Sequence, residues 1–300
     1  MGVSPYFKTP LSTLKSAKRA FSSSSRIIYS NRSSRIFIAT AQSKIVANLE
    51  DNARQIESLL RRAAQAGADI VHFPEGALSG YVKSKINDWA LFDWAVLNKQ
   101  LKNIQRLCRE LDVWAVIGSA HNETAKLRPF NSLYIIDDKG ALTHRYDKRY
   151  CSHSEITHWF RAGNTPLTID VKGIKIGFAI CIEIQFPELF QEYERLNVDC
   201  VMLSAYSDKP IFAIQAQGHA ACNNIWVSYS IPANLSAAQA ACMIGPDGHV
   251  LGVCDNNKAD IIIHEINPDA AQWDIPCHKA RPWRRKALSL IHISEPTRPY

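Results

Sequence analysis

The sequence reads as a mixed α/β fold in one domain, and three observations carry that reading. Helical and strand patterns alternate early in the chain. In the middle, pairs of short strands joined by tight turns take over. Apolar runs such as Val201-Met202-Leu203 have the composition of strands covered on both faces. No internal repeat interrupts the pattern and no linker follows residue 35, so the 300 residues are expected to build one large core.

The elements follow in order. Residues 35–42 form a short apolar strand. Val46, Leu49, Ala53, Ile56, Leu59, Leu60 and Ala63 then recur at helical spacing, and Gly67 supplies the stop. Residues 69–73 form a buried strand that ends at Pro74-Glu75. Leu97, Leu101, Ile104, Leu107 and Leu111 mark a second helix, and residues 113–119 the next strand. Residues 131–136 and 141–146 pair as a hairpin across Asp137-Asp138-Lys139-Gly140; residues 167–171 and 174–180 pair across Lys172-Gly173. A helix over 186–196, a strand over 200–204, a helix over 209–224 and a strand over 225–231 follow. Two strands flank the Pro246-Asp247-Gly248 turn, and residues 260–266 form the last strand.

Composition excludes several classes. The net charge of +7 is concentrated at one end: residues 1–35 hold Lys8, Lys15, Lys18, Arg19, Arg26, Arg32 and Arg35 and no acid, and setting those seven aside leaves 28 basic residues against 28 acidic. The body is therefore neutral, and no nucleic-acid surface is expected. No run reaches the about 18 apolar residues of a membrane span, so no membrane partner is expected. The eight cysteines are scattered without a CxxC pair, which fits reduced thiols better than a disulfide framework. Cys151, His153 and His158, or His219 and Cys222, lack the paired spacing of a zinc site; neither a metal nor a cofactor is expected.

Both ends stand apart from this body. Residues 1–34 are rich in Ser, Lys and Arg, as in an organellar presequence or a mis-translated extension, and lack the apolar surface to order themselves. A cytoplasmic location is expected, or a mitochondrial or other organellar one if that segment is a true presequence. Residues 288–298, Leu-Ser-Leu-Ile-His-Ile-Ser-Glu-Pro-Thr-Arg, resemble the translation of a transposase adapter used in DNA library preparation. That resemblance implies that 288–300 are a sequencing artefact outside the core, which leaves 35–287 as the functional domain.

Three reactive groups sit where an apolar strand ends, which is where α/β folds place their sites. Glu75 follows a buried strand in His72-Phe73-Pro74-Glu75-Gly76-Ala77-Leu78-Ser79-Gly80-Tyr81. Lys148 ends a strand in His144-Arg145-Tyr146-Asp147-Lys148-Arg149-Tyr150. Cys181 leaves a strand and enters a turn in Gly177-Phe178-Ala179-Ile180-Cys181-Ile182-Glu183-Ile184-Gln185-Phe186-Pro187-Glu188. Taken singly, each has a bland explanation: a helix cap, a solvated charged face, a small core cysteine.

Together and in this order, the three segments resemble the nitrilase superfamily, the carbon–nitrogen hydrolases, in its amidase-like branch. The shared pattern is Pro74-Glu75 with Gly80-Tyr81, Asp147-Lys148 after a strand, and Cys181 ahead of Glu183 and Phe186-Pro187-Glu188. Gly67-Ala68-Asp69, Asn131 and Ala162-Gly163-Asn164 add to it, and the resemblance covers residues 35 to 287. It implies a four-layer α-β-β-α sandwich. It implies a catalytic set of Glu75, Lys148 and Cys181, with Glu155 as a second glutamate whose spacing from Lys148 is short compared with many members. It also implies a homodimer or higher homo-oligomer, with residues 186–196 and 209–224 as the candidate interface helices.

The chemistry expected from that set is hydrolysis of a non-peptide carbon–nitrogen bond in a small amide or N-carbamoyl compound. Cys181 attacks the carbon, Glu75 takes the thiol proton and later activates water, and Lys148 with the N–H of Ile182 meets the oxyanion. A thioester forms with loss of ammonia or amine. Tyr81, Tyr150, Trp159, Ile182 and Tyr206 are the expected substrate contacts. Ile182 stands where many members carry Tyr or Trp, and Gln185 where many carry Arg. Aliphatic amides, ω-amides and N-carbamoyl compounds all stay open. A nitrile substrate is disfavoured, because true nitrilases usually carry an aromatic residue and a His after this turn. The competing class is a catalytically silent binding or regulatory module, against which the complete set argues. A papain-like Cys–His pair finds no recognisable histidine motif.

Overall fold

The computed structural model describes residues 34–124 and 126–293, with side chains through 289. The expectations for most of the 1–34 extension and for residues 294–300 lie outside the described residues. Strand β1 (Ile36–Gln42) leads into helix α1 (Leu49–Gln65), whose first turn is capped by the Asn48 side chain accepting from the Asp51 N–H at 2.8 Å. Strand β2 (Ile70–His72) follows, then α2 (Trp94–Leu111), capped by Asp93 accepting from the Val96 N–H at 2.9 Å. Strands β3 (Trp114–His121), β4 (Phe130–Ile136) and β5 (Leu142–Asp147) complete the first half.

The second half holds β6 (Thr168–Val171), β7 (Ile174–Ile180), α3 (Pro187–Arg195), β8 (Cys200–Ser204), α4 (Ile211–Asn223) and β9 (Trp226–Ser230). Strands β10 (Cys242–Ile244), β11 (Val250–Val253) and β12 (Asp260–Ile266) and helix α5 (Arg281–Ile293) end it. The strands make two six-stranded sheets, ordered β12-β1-β2-β3-β4-β5 and β11-β10-β9-β8-β7-β6. Pairing is parallel within β1-β2-β3 and β7-β8-β9 and antiparallel elsewhere.

Period-two alternation divides the first sheet between two cores. Ala39, Ala41, Val71, Ala115 and Ile117 face α1 and α2 and pack on Ile56, Leu60 and Ile104. Ile36, Ile38, Ile70, Val116 and Ile135 face the second sheet, which on its far side carries Leu189 and Phe190 of α3 and Ala216 and Ala220 of α4. The result is the four-layer α-β-β-α order. The central strands of both sheets are buried on both faces, which explains their near-continuous apolar sequences, while β5 and β11 at the edges are largely exposed.

Several short turns and the last helix escaped the sequence patterns. A single π-type turn at Glu155–Trp159 lies in a stretch with no assigned element. Helix α5 runs across position 288, and Leu288 is exposed. It is held by its basic face: Arg281 donates to the Val198 carbonyl and Arg285 to Glu194. Among the described residues no helix is long and apolar enough to cross a membrane.

Candidate active site

Glu75, Lys148 and Cys181 each follow the last residue of a strand or the short loop after it. Pro74-Glu75-Gly76 leaves β2 and crosses the neighbouring strand β3 at Gly118. A Cβ on Gly118 would stand 2.1 Å from the Pro74 carbonyl oxygen and 2.8 Å from the Glu75 Cα, so only glycine lets the Glu75 loop lie this close. Lys148 follows β5, and its backbone N–H donates to the Asn131 carbonyl at 2.8 Å, which places the Asn131 side chain of β4 beside it.

Cys181 is the first residue after β7 and has a φ of +51°. A non-glycine residue in the left-handed region costs on the order of 1–3 kcal/mol, and such strain is held only where the surroundings over-determine it. Here Glu183 supplies the constraint. Its fully buried carboxylate accepts from the N–H of Ile180 at 2.7 Å, from the N–H groups of Arg149 and Tyr150 at 2.7 and 3.1 Å, and from the Tyr146 hydroxyl at 2.9 Å. One side chain thus ties the Cys181 turn to the Lys148 loop. The sequence places Glu183 only in the pattern after the cysteine; its bracing role depends on contacts 33 to 37 residues away.

The ammonium of Lys148 lies between two carboxylates. Its Nζ donates to Glu75 Oε1 at 3.1 Å and to both Glu155 oxygens at 2.9 and 3.0 Å. Asn131 Nδ2 bridges the same carboxylates, at 2.7 Å to Glu75 and 3.2 Å to Glu155. The Ser152 N–H adds a bond to Glu155 Oε2 at 2.8 Å. Glu75 and Lys148 are 1% exposed, Glu155 2% and Cys181 8%. Glu75 Oε2 is buried and accepts no hydrogen bond.

The electrostatics separate the two glutamates. Burial raises the Glu75 carboxyl above the ordinary range, and the nearby Lys148 charge offsets only part of that. Burial also pushes Glu155 up, but Lys148 and the Lys148 and Ser152 hydrogen bonds outweigh it and hold Glu155 below its usual value. Desolvation works against the Lys148 ammonium, yet two adjacent carboxylates keep it charged far beyond the normal lysine range. Burial and the Glu75 charge push the Cys181 thiol well up, while Lys148 and the Tyr206 backbone N–H pull it down. The resting nucleophile is therefore a thiol beside a carboxylate with one free oxygen.

The five expected substrate contacts fall into different settings. Tyr81 stacks on Tyr206 with ring centroids 4.2 Å apart, and its hydroxyl feels the charges of Glu75, Lys148, Glu155 and Cys181. Tyr150 stacks on Phe186 at 4.2 Å. Ile182 is half-buried and packs against the main core. Trp159 packs edge-on against Trp89, whose indole N–H donates to the Trp159 carbonyl at 2.9 Å. Among the described residues no three His, Cys, Asp or Glu side chains cluster as metal ligands.

Comparison with known proteins gives one consistent pattern. The family profile described as carbon-nitrogen hydrolase matches residues 37–274. Nitrilase homolog 2 of Dictyostelium discoideum is 22% identical over 241 residues, 73% of this chain and 73% of its own length. The deaminated glutathione amidase of a Synechocystis strain is 24% identical over 253 residues, 74% of this chain and 88% of its own. Some relatives are longer, and the chain spans 37% of the nitrilase and fragile histidine triad fusion protein of Caenorhabditis elegans. In three dimensions a variant of the Nesterenkonia AN1 amidase from the nitrilase superfamily superposes with a TM-score of 0.70 at 18% identity, over 85% of this chain and 98% of that one.

Proposed function

Because the chain belongs to the carbon-nitrogen hydrolase family, we propose that it hydrolyses a small amide or N-carbamoyl compound through a thioester on Cys181. The observation that carries this reading is the divergence of two buried carboxylates around one ammonium, with one Glu75 oxygen, Oε2, left without a hydrogen-bond donor. Environments that push paired titratable groups apart assign their roles: the raised one moves protons, the depressed one stays charged. Glu75 is then the general base and Glu155 the fixed counter-charge of Lys148.

The reaction runs in two halves. The Cys181 sulfur bonds to the carbonyl carbon as its proton passes to Glu75 Oε2. Lys148 and the N–H of Ile182 stabilise the oxyanion that results. The C–N bond breaks, and the leaving nitrogen takes the proton from Glu75. Water then loses a proton to Glu75 and attacks the thioester, and the released sulfur recovers that proton. The near-complete cover of the four groups and the Tyr81–Tyr206 stack beside them favour a small substrate. Two carboxylates against one ammonium favour an uncharged reacting end.

The test is a panel of aliphatic amides, ω-amides, N-carbamoyl compounds and nitriles assayed for ammonia or amine release, with Cys181→Ala as the control. Turnover of one amide or carbamoyl class that vanishes in the variant supports the reading. Turnover that survives Cys181→Ala overturns it, and a soundly folded wild type that turns over nothing in the panel points to the silent binding module instead.

A further inference from the structure

Between the two sheets, among apolar side chains, runs a hydrogen-bonded line of four fully buried polar ones: Thr40 of β1, His72 of β2, Ser228 of β9 and Ser204 of β8. Their neighbours on the same faces are Ile38, Ile70 and Val116. The hydrogen bonds along this line have one consistent direction. Ser204 Oγ gives its only hydrogen to the Phe73 carbonyl at 2.8 Å. It therefore accepts from His72 Nε2, also at 2.8 Å, which makes the imidazole the Nε2–H tautomer. The bare Nδ1 accepts from Ser228 Oγ at 2.8 Å, and Ser228 in turn accepts from Thr40 Oγ1 at 2.7 Å.

The chain of donors thus runs Thr40, Ser228, His72, Ser204 and ends on the carbonyl of Phe73, two residues before Glu75. On the other sheet, Ser204 is the last residue of β8 and lies opposite Ile180 of β7, the residue before Cys181. One imidazole therefore joins the strand that delivers Glu75 to the strand paired with the one that ends at Cys181. Burial lowers the His72 pKa to about 3, so the neutral form that this direction requires persists. A buried polar network gives no assured gain in stability over well-packed apolar side chains, but it fixes geometry where an apolar contact can slide.

We propose that His72 is a positioning residue that sets the reach of Glu75 to Cys181 by locking the two sheets in register behind the site. This rests on the reading of Glu75 as the base for Cys181. A misplacement of about 1 Å at a reacting group costs on the order of a hundredfold in rate.

Cys181 alkylation by iodoacetamide, followed across pH, tests it without any knowledge of the substrate. Wild type is compared with His72→Leu, Ser204→Ala, His72→Gln, whose amide N–H can still donate to Ser204, and Glu75→Gln. The expected result is alkylation about 10- to 100-fold slower in His72→Leu and Ser204→Ala. Their rate profiles should move toward that of Glu75→Gln, and His72→Gln should recover a large part of the rate. With a substrate in hand, kcat should fall while KM holds. If His72→Leu does not fold, Ser204→Ala, which removes one hydroxyl, carries the comparison. Slow alkylation in Glu75→Gln with wild-type rates and profiles in His72→Leu and Ser204→Ala overturns the inference alone. Wild-type behaviour of Glu75→Gln overturns the assignment of the base.

Discussion

Lys148 shares its ammonium between Glu75 and Glu155, and the sharing is unequal. Glu155 receives two contacts from Nζ, one from the Ser152 N–H and a longer one from Asn131; Glu75 receives one from Nζ and one from Asn131. The residue with fewer donors is the one whose carboxyl is raised. This fixes the sign of a pH effect. A base must be ionised to accept a proton, so kcat/KM should fall as pH drops through the folded-state pKa of Glu75. Because that pKa lies above the ordinary glutamate value of about 4.3, the acid limb should appear at higher pH than a solvent-exposed glutamate would give. Removing the Asn131 hydrogen bond, which favours the charged form, should move the limb further toward neutral. A pH–rate profile of wild type against Asn131→Leu checks both statements; a limb that stays put in the variant speaks against Glu75 as the titrating group.

At the scale of elements, the site depends on close backbone approaches as much as on its reactive groups. Gly118 sits mid-strand in β3 with nothing in its sequence context to mark it, yet the Glu75 loop lies directly over it. Gly118→Ala should force the loop away. Overpacking of a tight contact costs about 1–3 kcal/mol, and here the displaced group is the base. The expected outcome is a lowered melting temperature together with loss of turnover larger than the stability change explains, measured by thermal denaturation and by ammonia release on the same preparation. Gly76 is a second such place: its φ is +69°, and a Cβ there would meet the Gly80 carbonyl oxygen at 2.7 Å. The His72 line belongs to this scale too, since it works by joining β2 to β8.

For the whole molecule, helix α4 presents exposed apolar side chains on its outer face. Its inner face buries Phe212, Ala216 and Ala220, but Ile211 and Ile214 are exposed, as is Leu196 beyond the end of α3. An apolar outer face on a soluble helix is expected to be covered. The assembly proposed here is a homodimer through α3 and α4. Sedimentation or sizing of wild type should report a dimer, and the pair Ile211→Glu and Ile214→Glu should shift it to monomer without lowering the helix content. A wild type that runs as a monomer at all concentrations rules this out.

The amino-acid pattern alone determined the order and type of nearly every strand and helix, because hydrophobic periodicity is a local property. Strands 174–180, 200–204 and 260–266 carry the limits read from the sequence, and most others differ by one or two residues at ends where capping rather than periodicity decides. It also placed Glu75, Lys148 and Cys181 at strand ends, which are visible without coordinates; the resemblance to the carbon–nitrogen hydrolases is what gave them a joint role and added Glu155. What only the tertiary structure decided is what each of them meets. The separation of Glu75 from Glu155 arises from burial and from donors 3 to 73 residues away. The brace of Glu183, the clearance at Gly118 and the tautomer of His72 likewise depend on contacts across sheets. Such contacts leave no periodic trace, because a carboxylate, a glycine or an imidazole is the same letter whether it faces water or closes a hydrogen-bond chain between two strands.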